Sequence, residues 1–141
     1  DTVRLVQSDA AEKKIRIDAV TKNAPAAACL DPNLMRQLLL NLMLNAVAAT
    51  GAGNHIEIGV QADAASAGTV FWVQDDGPGI EPGHRQKIFD PFFTTREKGT
   101  GLGLAIVLKI VENHRGAIRL ESPIPCRDKG CRFVVEIPEA R

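Results

Sequence analysis

The sequence predicts an α+β fold: a two-layer sandwich in which a mixed, mainly antiparallel sheet is covered on one face by about three helices. The first observation behind this is the order of patterns. Short segments with period-two apolar spacing alternate with longer apolar runs at helical spacing, in the order β, α, ββ, long connection, α, ββ. The second is size. The 141 residues suffice for one buried core without covalent staples. The third is composition: 45% apolar and 24% charged residues are ordinary for a globular domain.

Residues 2–13 are polar with scattered apolar positions and read as a short helix. Ile15, Ile17 and Ala19 then alternate with Arg16, Asp18 and Val20, the pattern of a half-buried strand. After a small-residue loop, Asp31-Pro32 opens a helix, aspartate as N-cap and proline at the first position. That helix runs to about Thr50. Leu34, Met35, Leu38, Leu39, Leu42, Met43 and Val47 make it apolar nearly all round, so it is expected to be buried. Ile56, Ile58 and Val60 mark one strand and residues 69–74 the next, with a loose hairpin connection at 62–68. Period-two counting places Phe71, Val73 and Asp75 on one face, the aspartate ending a row that points to the core. Trp72 alternates to the other face and reads as sheet packing. Residues 80–99 are rich in proline, charge and phenylalanine, with at most one short helix near 84–88. A connection of that length in a compact domain is usually functional, often a lid. A helix over about 101–113 follows. Strands at 117–122 and 131–137, joined by a Pro/Gly hairpin, close the pattern.

Charge and cysteines narrow the function classes. Lys plus Arg equals Asp plus Glu at 17 each, without the basic excess of a nucleic-acid footprint. No stretch has the length to span a bilayer and no leader pattern opens the sequence. The expected location is cytoplasmic, and whether a longer protein is membrane-anchored is left open. Three cysteines do not make a secreted disulfide framework. Cys126 and Cys131 flank the closing hairpin and could approach each other, and reduced packing thiols are expected there rather than a disulfide. A zinc site lacks a second ligand pair at workable spacing.

Two glycine-rich segments carry the chemistry: Asp75-Asp76-Gly77-Pro78-Gly79 and Gly99-Thr100-Gly101-Leu102-Gly103-Leu104. Glycines so spaced let the backbone wrap a ligand and offer bare N–H groups to phosphate oxygens. Alone, the first segment could be only a strand-ending turn. The second is more specific, because it leads straight into a helix whose N-terminal amides favour an anion. Gln37, Asn41 and Asn45 lie four residues apart on the oily helix. Buried amides cost free energy unless partnered, so they either cap neighbouring backbone or meet a ligand, and the two glycine segments favour the ligand. Asp75 can accept from an exocyclic amine, and asparagine oxygens suit a divalent cation. A Walker A loop would need Gly-Lys-Ser/Thr, which is absent, and the dinucleotide and protein-kinase loops would need glycine where Leu104 stands. Phe89, Phe92 and Phe93 read as a cluster pinning the lid, as a surface for a partner helix, or both. His55, His84 and His114 read as polar packing.

With these segments in order, the sequence resembles the catalytic ATP-binding domain of two-component sensor histidine kinases, within the Bergerat-fold ATPase group. Residues 38–46 (LLLNLMLNA) resemble the asparagine box and 73–80 (VQDDGPGI) the first glycine box. Residues 88–95 (IFDPFFTT) resemble the phenylalanine box and 99–106 (GTGLGLAI) the second glycine box. The resemblance covers nearly all of residues 1–141. It implies the Bergerat form of the α+β sandwich, with the long connection as an ATP lid. It implies that Asn41 and Asn45 hold Mg²⁺ and the phosphates, with Asn45 the magnesium ligand. Asp75 would accept from the adenine amine, Gly77, Gly79 and Ile80 would frame the ring, and Gly99 to Leu104 would wrap the phosphates. Three departures stand out. Cys131 occupies a place where relatives often have threonine near adenine. Ala48 replaces a basic residue, leaving Arg96 or Lys98 of the lid to meet phosphates. Arg115 stands where glycine is frequent.

The activity implied is transfer of the γ-phosphoryl group of Mg-ATP to a histidine on a separate helical acceptor domain, expected upstream, with a response regulator downstream. Phe89, Phe92 and Phe93 would dock the acceptor helices. The alternatives are a Bergerat-fold ATP hydrolase or a nucleotide-binding regulatory module without transfer. Hydrolases of the group carry a glutamate where Asn41 stands, and a neutral amide cannot take a proton from water near pH 7.

Overall fold

The alternating segment at residues 15–22 forms strand β1 (Arg16–Lys22) in the computed structural model, which describes residues 15–22, 32–49, 54–62, 68–91, 103–122 and 129–138. Helix α1 (Pro32–Ala49) crosses to β2 (His55–Ala62), which pairs with β1 in parallel. Parallel neighbours need such a crossover element between them. β3 (Thr69–Asp75) returns antiparallel to β2. A 3₁₀ turn (Pro82–His84), helix α2 (Gly103–Asn113) and strands β4 (Ala117–Glu121) and β5 (Cys131–Ile137) complete the order. The strands form one five-stranded sheet in the order β1-β2-β3-β5-β4, antiparallel except at β1–β2. The expected helix at residues 2–13, the Asp31 cap and the closing hairpin's tip lie outside the described residues.

One sheet face meets the helices. Ile56, Ile58, Val73, Phe133, Val135 and Ile137 of the sheet, Leu38, Leu42 and Ala46 of α1, and Val107, Ile110 and Val111 of α2 belong to one buried core. Their spacing of two on strands and three to four on helices is the periodicity each element imposes. The expectation that α1 is buried all round needs correction. Leu44 is 40% exposed, and Arg36, Gln37 and Ala48 are also exposed. A helix lying on a single sheet has only one face to cover, so Leu44 of α1 reaches the surface.

The sheet's other face is polar and internally paired. Arg132 donates from Nε to Gln74 Oε1 (2.8 Å) and from Nη1 to Glu121 Oε1 (3.1 Å), and Arg119 pairs with Glu136. Trp72 lies over its cross-strand partner Gly59, where a Cβ would come within 1.9 Å of the indole, and its Nε1 donates to Glu57 Oε2 at 2.8 Å. Trp72 is therefore sheet packing, as its alternation predicts.

Two local features differ from the sequence pattern. The short helix expected near 84–88 is instead a chain of three-residue turns. Amides of His84, Arg85, Lys87 and Asp90 donate to the carbonyls of Glu81, Pro82, His84 and Lys87. Pro82 at the start and Gly83 behind it favour this tighter winding. At the end of α2, Gly116 N–H donates to Val111 O and Arg115 N–H to Glu112 O, both at 2.9 Å. With Arg115 at φ 58°, this is a Schellman close whose left-handed position holds arginine rather than glycine. Among the described residues, no helix is long and apolar enough to cross a membrane.

Candidate functional site

Asp75 ends β3 with its side chain on the core side, 4% exposed. Its cross-strand neighbours are Ile56 of β2 and Cys131 of β5, so neither supplies a cation. The carboxylate Oδ1 accepts the Gly77 N–H at 2.8 Å, an Asx-type turn that starts the glycine segment. Burial is the dominant influence on this group and raises its pKa from 3.8 to about 6. The Gly77 N–H opposes the rise and the Asp76 charge adds to it. A carboxylate kept in such a place without a cationic partner among the described residues has acceptor capacity to offer a ligand donor.

The turn behind Asp75 is built for closeness. Gly79 adopts φ +86°, and a Cβ there would approach Ser122 Oγ to 2.7 Å and Gly130 O to 3.1 Å. Ile80 follows with both backbone polar groups taken by side chains. Its N–H donates to Ser122 Oγ at 2.9 Å, and its carbonyl accepts from Arg85 Nε at 3.3 Å. Ser122 Oγ in turn donates to Gly130 O at 3.0 Å. Gly130, at φ 98°, immediately precedes Cys131. That thiol is buried and free. Burial foremost, and the Asp75 carboxylate second, push it far above the ordinary thiol range, with the Arg85 guanidinium opposing.

Asn41 and Asn45 lie one turn apart on α1, which packs against β3 and α2. Both are half-buried, and Asn41 Nδ2 is buried with no hydrogen-bond partner among the described residues. A buried donor left open costs about 1–3 kcal/mol, and a phosphate oxygen would satisfy it. Among the described residues, no group of three or more His, Cys, Asp or Glu side chains could hold a metal ion. Asn45 carries an amide oxygen, a neutral hard donor of the kind that can join water and phosphate oxygens around a divalent cation. Gly103 and Leu104 open α2 and are half-buried, and among the described residues nothing lies within 4 Å of a Cβ placed on Gly103.

The structure thus brings Asp75, Gly77, Gly79, Ile80 and Cys131 to one end of the β3–β5 pair. Phe89 is half-buried against the core and meets Phe133 edge-on, ring centroids 6.2 Å apart. Arg96, Lys98, Gly99, Thr100, Gly101 and Leu102 of the phosphate-wrapping reading, with Phe92 and Phe93, lie outside the described residues. Sequence reasoning missed Ser122 and Arg85. A serine ending a strand and an arginine in a charged turn carry no local signal of a bond to Ile80.

Residues 30–141 match the family described as histidine kinase-, DNA gyrase B- and HSP90-like ATPase. Sensor histidine kinase ZraS of Escherichia coli O157:H7 is 39% identical over 137 residues, 97% of this chain and 29% of that protein. The chain thus spans about three-tenths of the length of such curated relatives. The catalytic domain of histidine kinase ThkA superposes with a TM-score of 0.85 at 35% identity, covering 98% of this chain and 88% of that one. ThkA has also been solved in complex with response regulator protein TrrA, with a TM-score of 0.80 at 32% identity over 99% of this chain and 38% of that one. Full-length ShkA in complex with AMPPNP gives 0.86 at 32% identity, covering 99% and 28% of the two chains.

Proposed function

Because the chain belongs to the family of histidine kinase-, DNA gyrase B- and HSP90-like ATPases, we propose that it binds ATP with Mg²⁺ and transfers the γ-phosphoryl group to a histidine of a helical acceptor domain. The observation that carries this reading is the buried Asp75 beside a glycine turn, with no cationic partner among the described residues. It offers a carboxylate acceptor to the exocyclic amine of adenine. Gly77 leaves room for the ring, Gly79 lets the turn close against Ser122 and Gly130, and Ile80 and Cys131 border the ring. Asn41 Nδ2 donates to a phosphate oxygen, which resolves its lack of a partner. Gly99, Thr100, Gly101, Leu102, Gly103 and Leu104 wrap the phosphates with backbone amides, and Arg96 or Lys98 adds positive charge. Asn45 would hold Mg²⁺, which would supply neutralisation of phosphate charge.

Transfer breaks the bond between the γ-phosphorus and the β–γ bridging oxygen and forms a phosphorus–nitrogen bond to the acceptor imidazole. ADP departs and the imidazole proton passes to solvent. A neutral imidazole is its own nucleophile, so the work is positioning and charge neutralisation. Asn41, a neutral amide, suits this better than hydrolysis. Phe92 and Phe93 dock the acceptor helices, while Phe89 anchors their segment through Phe133. A response regulator then takes the phosphoryl group from the histidine.

Incubation with γ-labelled ATP, Mg²⁺ and a separately supplied acceptor domain tests the reading. Acid-labile phosphohistidine on the acceptor is expected. Labelled free phosphate alone would favour a hydrolase, and ATP binding without either product a regulatory module.

A further inference from the structure

The turn that follows Asp75 has no ladder of its own, since β3 ends at Asp75 and regular turn bonding resumes only at Glu81. Ile80 is nevertheless held at both backbone groups. Its N–H reaches Ser122, 42 residues away, and its carbonyl is held by Arg85, five residues on. Ser122 is 8% exposed, and its hydroxyl works in both directions, accepting from Ile80 and donating to Gly130 O. One hydroxyl therefore ties the turn 77–80 to the residue before Cys131, which is the two sides of the Asp75 pocket. Gly79, with no room for a Cβ against Ser122 and Gly130, keeps the two walls this close.

We propose that Ser122, supported by Arg85, is a positioning residue for nucleobase recognition, its hydroxyl fixing the spacing between the turn 77–80 and Gly130–Cys131 on either side of Asp75. Neither residue is among those assigned to the phosphates, Asn41, Asn45 and residues 99–104. Loss of the latch therefore loosens the base end of the site and leaves the phosphate end intact. The inference rests on the reading of this site as an ATP site.

The test measures the affinities of Mg-ATP and of Mg-tripolyphosphate, which has no base, for the wild-type chain and for Ser122→Ala and Arg85→Met. ATP is expected to bind Ser122→Ala about five- to thirtyfold more weakly and Arg85→Met about three- to tenfold more weakly, the scale of two lost hydrogen bonds and of one. Tripolyphosphate affinity should be unchanged in both. Hydrogen exchange at the Ile80 amide should accelerate in Ser122→Ala. Failure of the wild-type chain to bind ATP would refute the ATP reading itself. If the wild type binds ATP, unchanged ATP affinity in the variants, or an equal loss for tripolyphosphate, overturns the latch. Should Ser122→Ala not fold, Arg85→Met alone decides by the same two outcomes.

Discussion

Asp75 and Cys131 face each other directly across β3 and β5, the last residue of one strand opposite the first of the other. Both are about 4% exposed. Each is a weak acid held where water is scarce, and the ionised carboxylate further raises the thiol. The pair makes a pocket wall that resists negative charge, and a donor on a ligand relieves it. Three expectations come from this relationship.

Asp75→Asn should lose nucleotide affinity while gaining stability. The substitution removes a charged acceptor whose bond is worth about 1.5–3 kcal/mol, so ATP should bind roughly ten- to a hundredfold more weakly. The free protein moves the other way. A carboxyl raised from 3.8 in the unfolded chain to about 6 in the fold favours folding most below 3.8, and that advantage is lost as pH rises through 6. The amide bears no such charge and can still accept the Gly77 N–H. At pH 8 the variant should be more stable by about 1–3 kcal/mol, the gain shrinking toward pH 4.5. Urea unfolding at the two pH values measures this, and a variant destabilised at pH 8 would contradict the assignment.

ATP affinity should fall on acidification below about pH 6. An amine donor favours the ionised carboxylate, so binding lowers the Asp75 pKa and releases a proton in that window. The loss approaches roughly tenfold per pH unit. ATP phosphates titrate nearby, so the quantity to follow is the ratio of wild-type to Asp75→Asn affinities, which cancels that contribution. Calorimetry between pH 5 and 8 should show the ratio declining toward acid. A constant ratio would separate Asp75 from the base.

Cys131 should be inert to thiol reagents while the domain is folded. With Cys29 and Cys126 replaced by serine, the remaining thiol should react with a disulfide reagent at pH 8 about a hundredfold or more slowly than in denaturant. Burial and the raised pKa both suppress thiolate. Fast native reaction would mean that the strand end opens readily.

Arg115→Gly should stabilise the domain by about 0.5–1 kcal/mol. Arginine at φ 58° in the Schellman close carries a Cβ penalty of about 1–2 kcal/mol that glycine avoids, offset in part by the freer unfolded chain. Chemical denaturation reads the gain. ATP affinity should not change, because Arg115 closes α2 at the end away from Gly103. A loss of stability would show that the arginine side chain contributes more than its backbone strain costs.

The strand alternation at residues 55–62 and 69–75, the helix at 32–49 and the inward row ending at Asp75 were legible because side-chain periodicity is local and each element enforces it. The glycine segment after Asp75 was legible for the same reason: Gly79 is required by its own φ and by the lack of space around it. The partly exposed outer side of α1 was not legible, since leucines at 39, 40 and 44 look alike until a single sheet claims one face. Nor did 84–88 read correctly, because proline and glycine at its start tip a short segment from α-helical to 3₁₀ winding.

By itself the amino-acid sequence determined the elements, their order and the residue types available to a nucleotide, because propensity, periodicity and turn chemistry act within a few residues. Only the tertiary structure decided that β5 inserts between β3 and β4, which sets Cys131 opposite Asp75 and brings Ser122 within reach of Ile80. Strand order is chosen by how the whole sheet buries its inner face against α1 and α2. A hydrogen bond across 42 residues exists only once that global packing is complete.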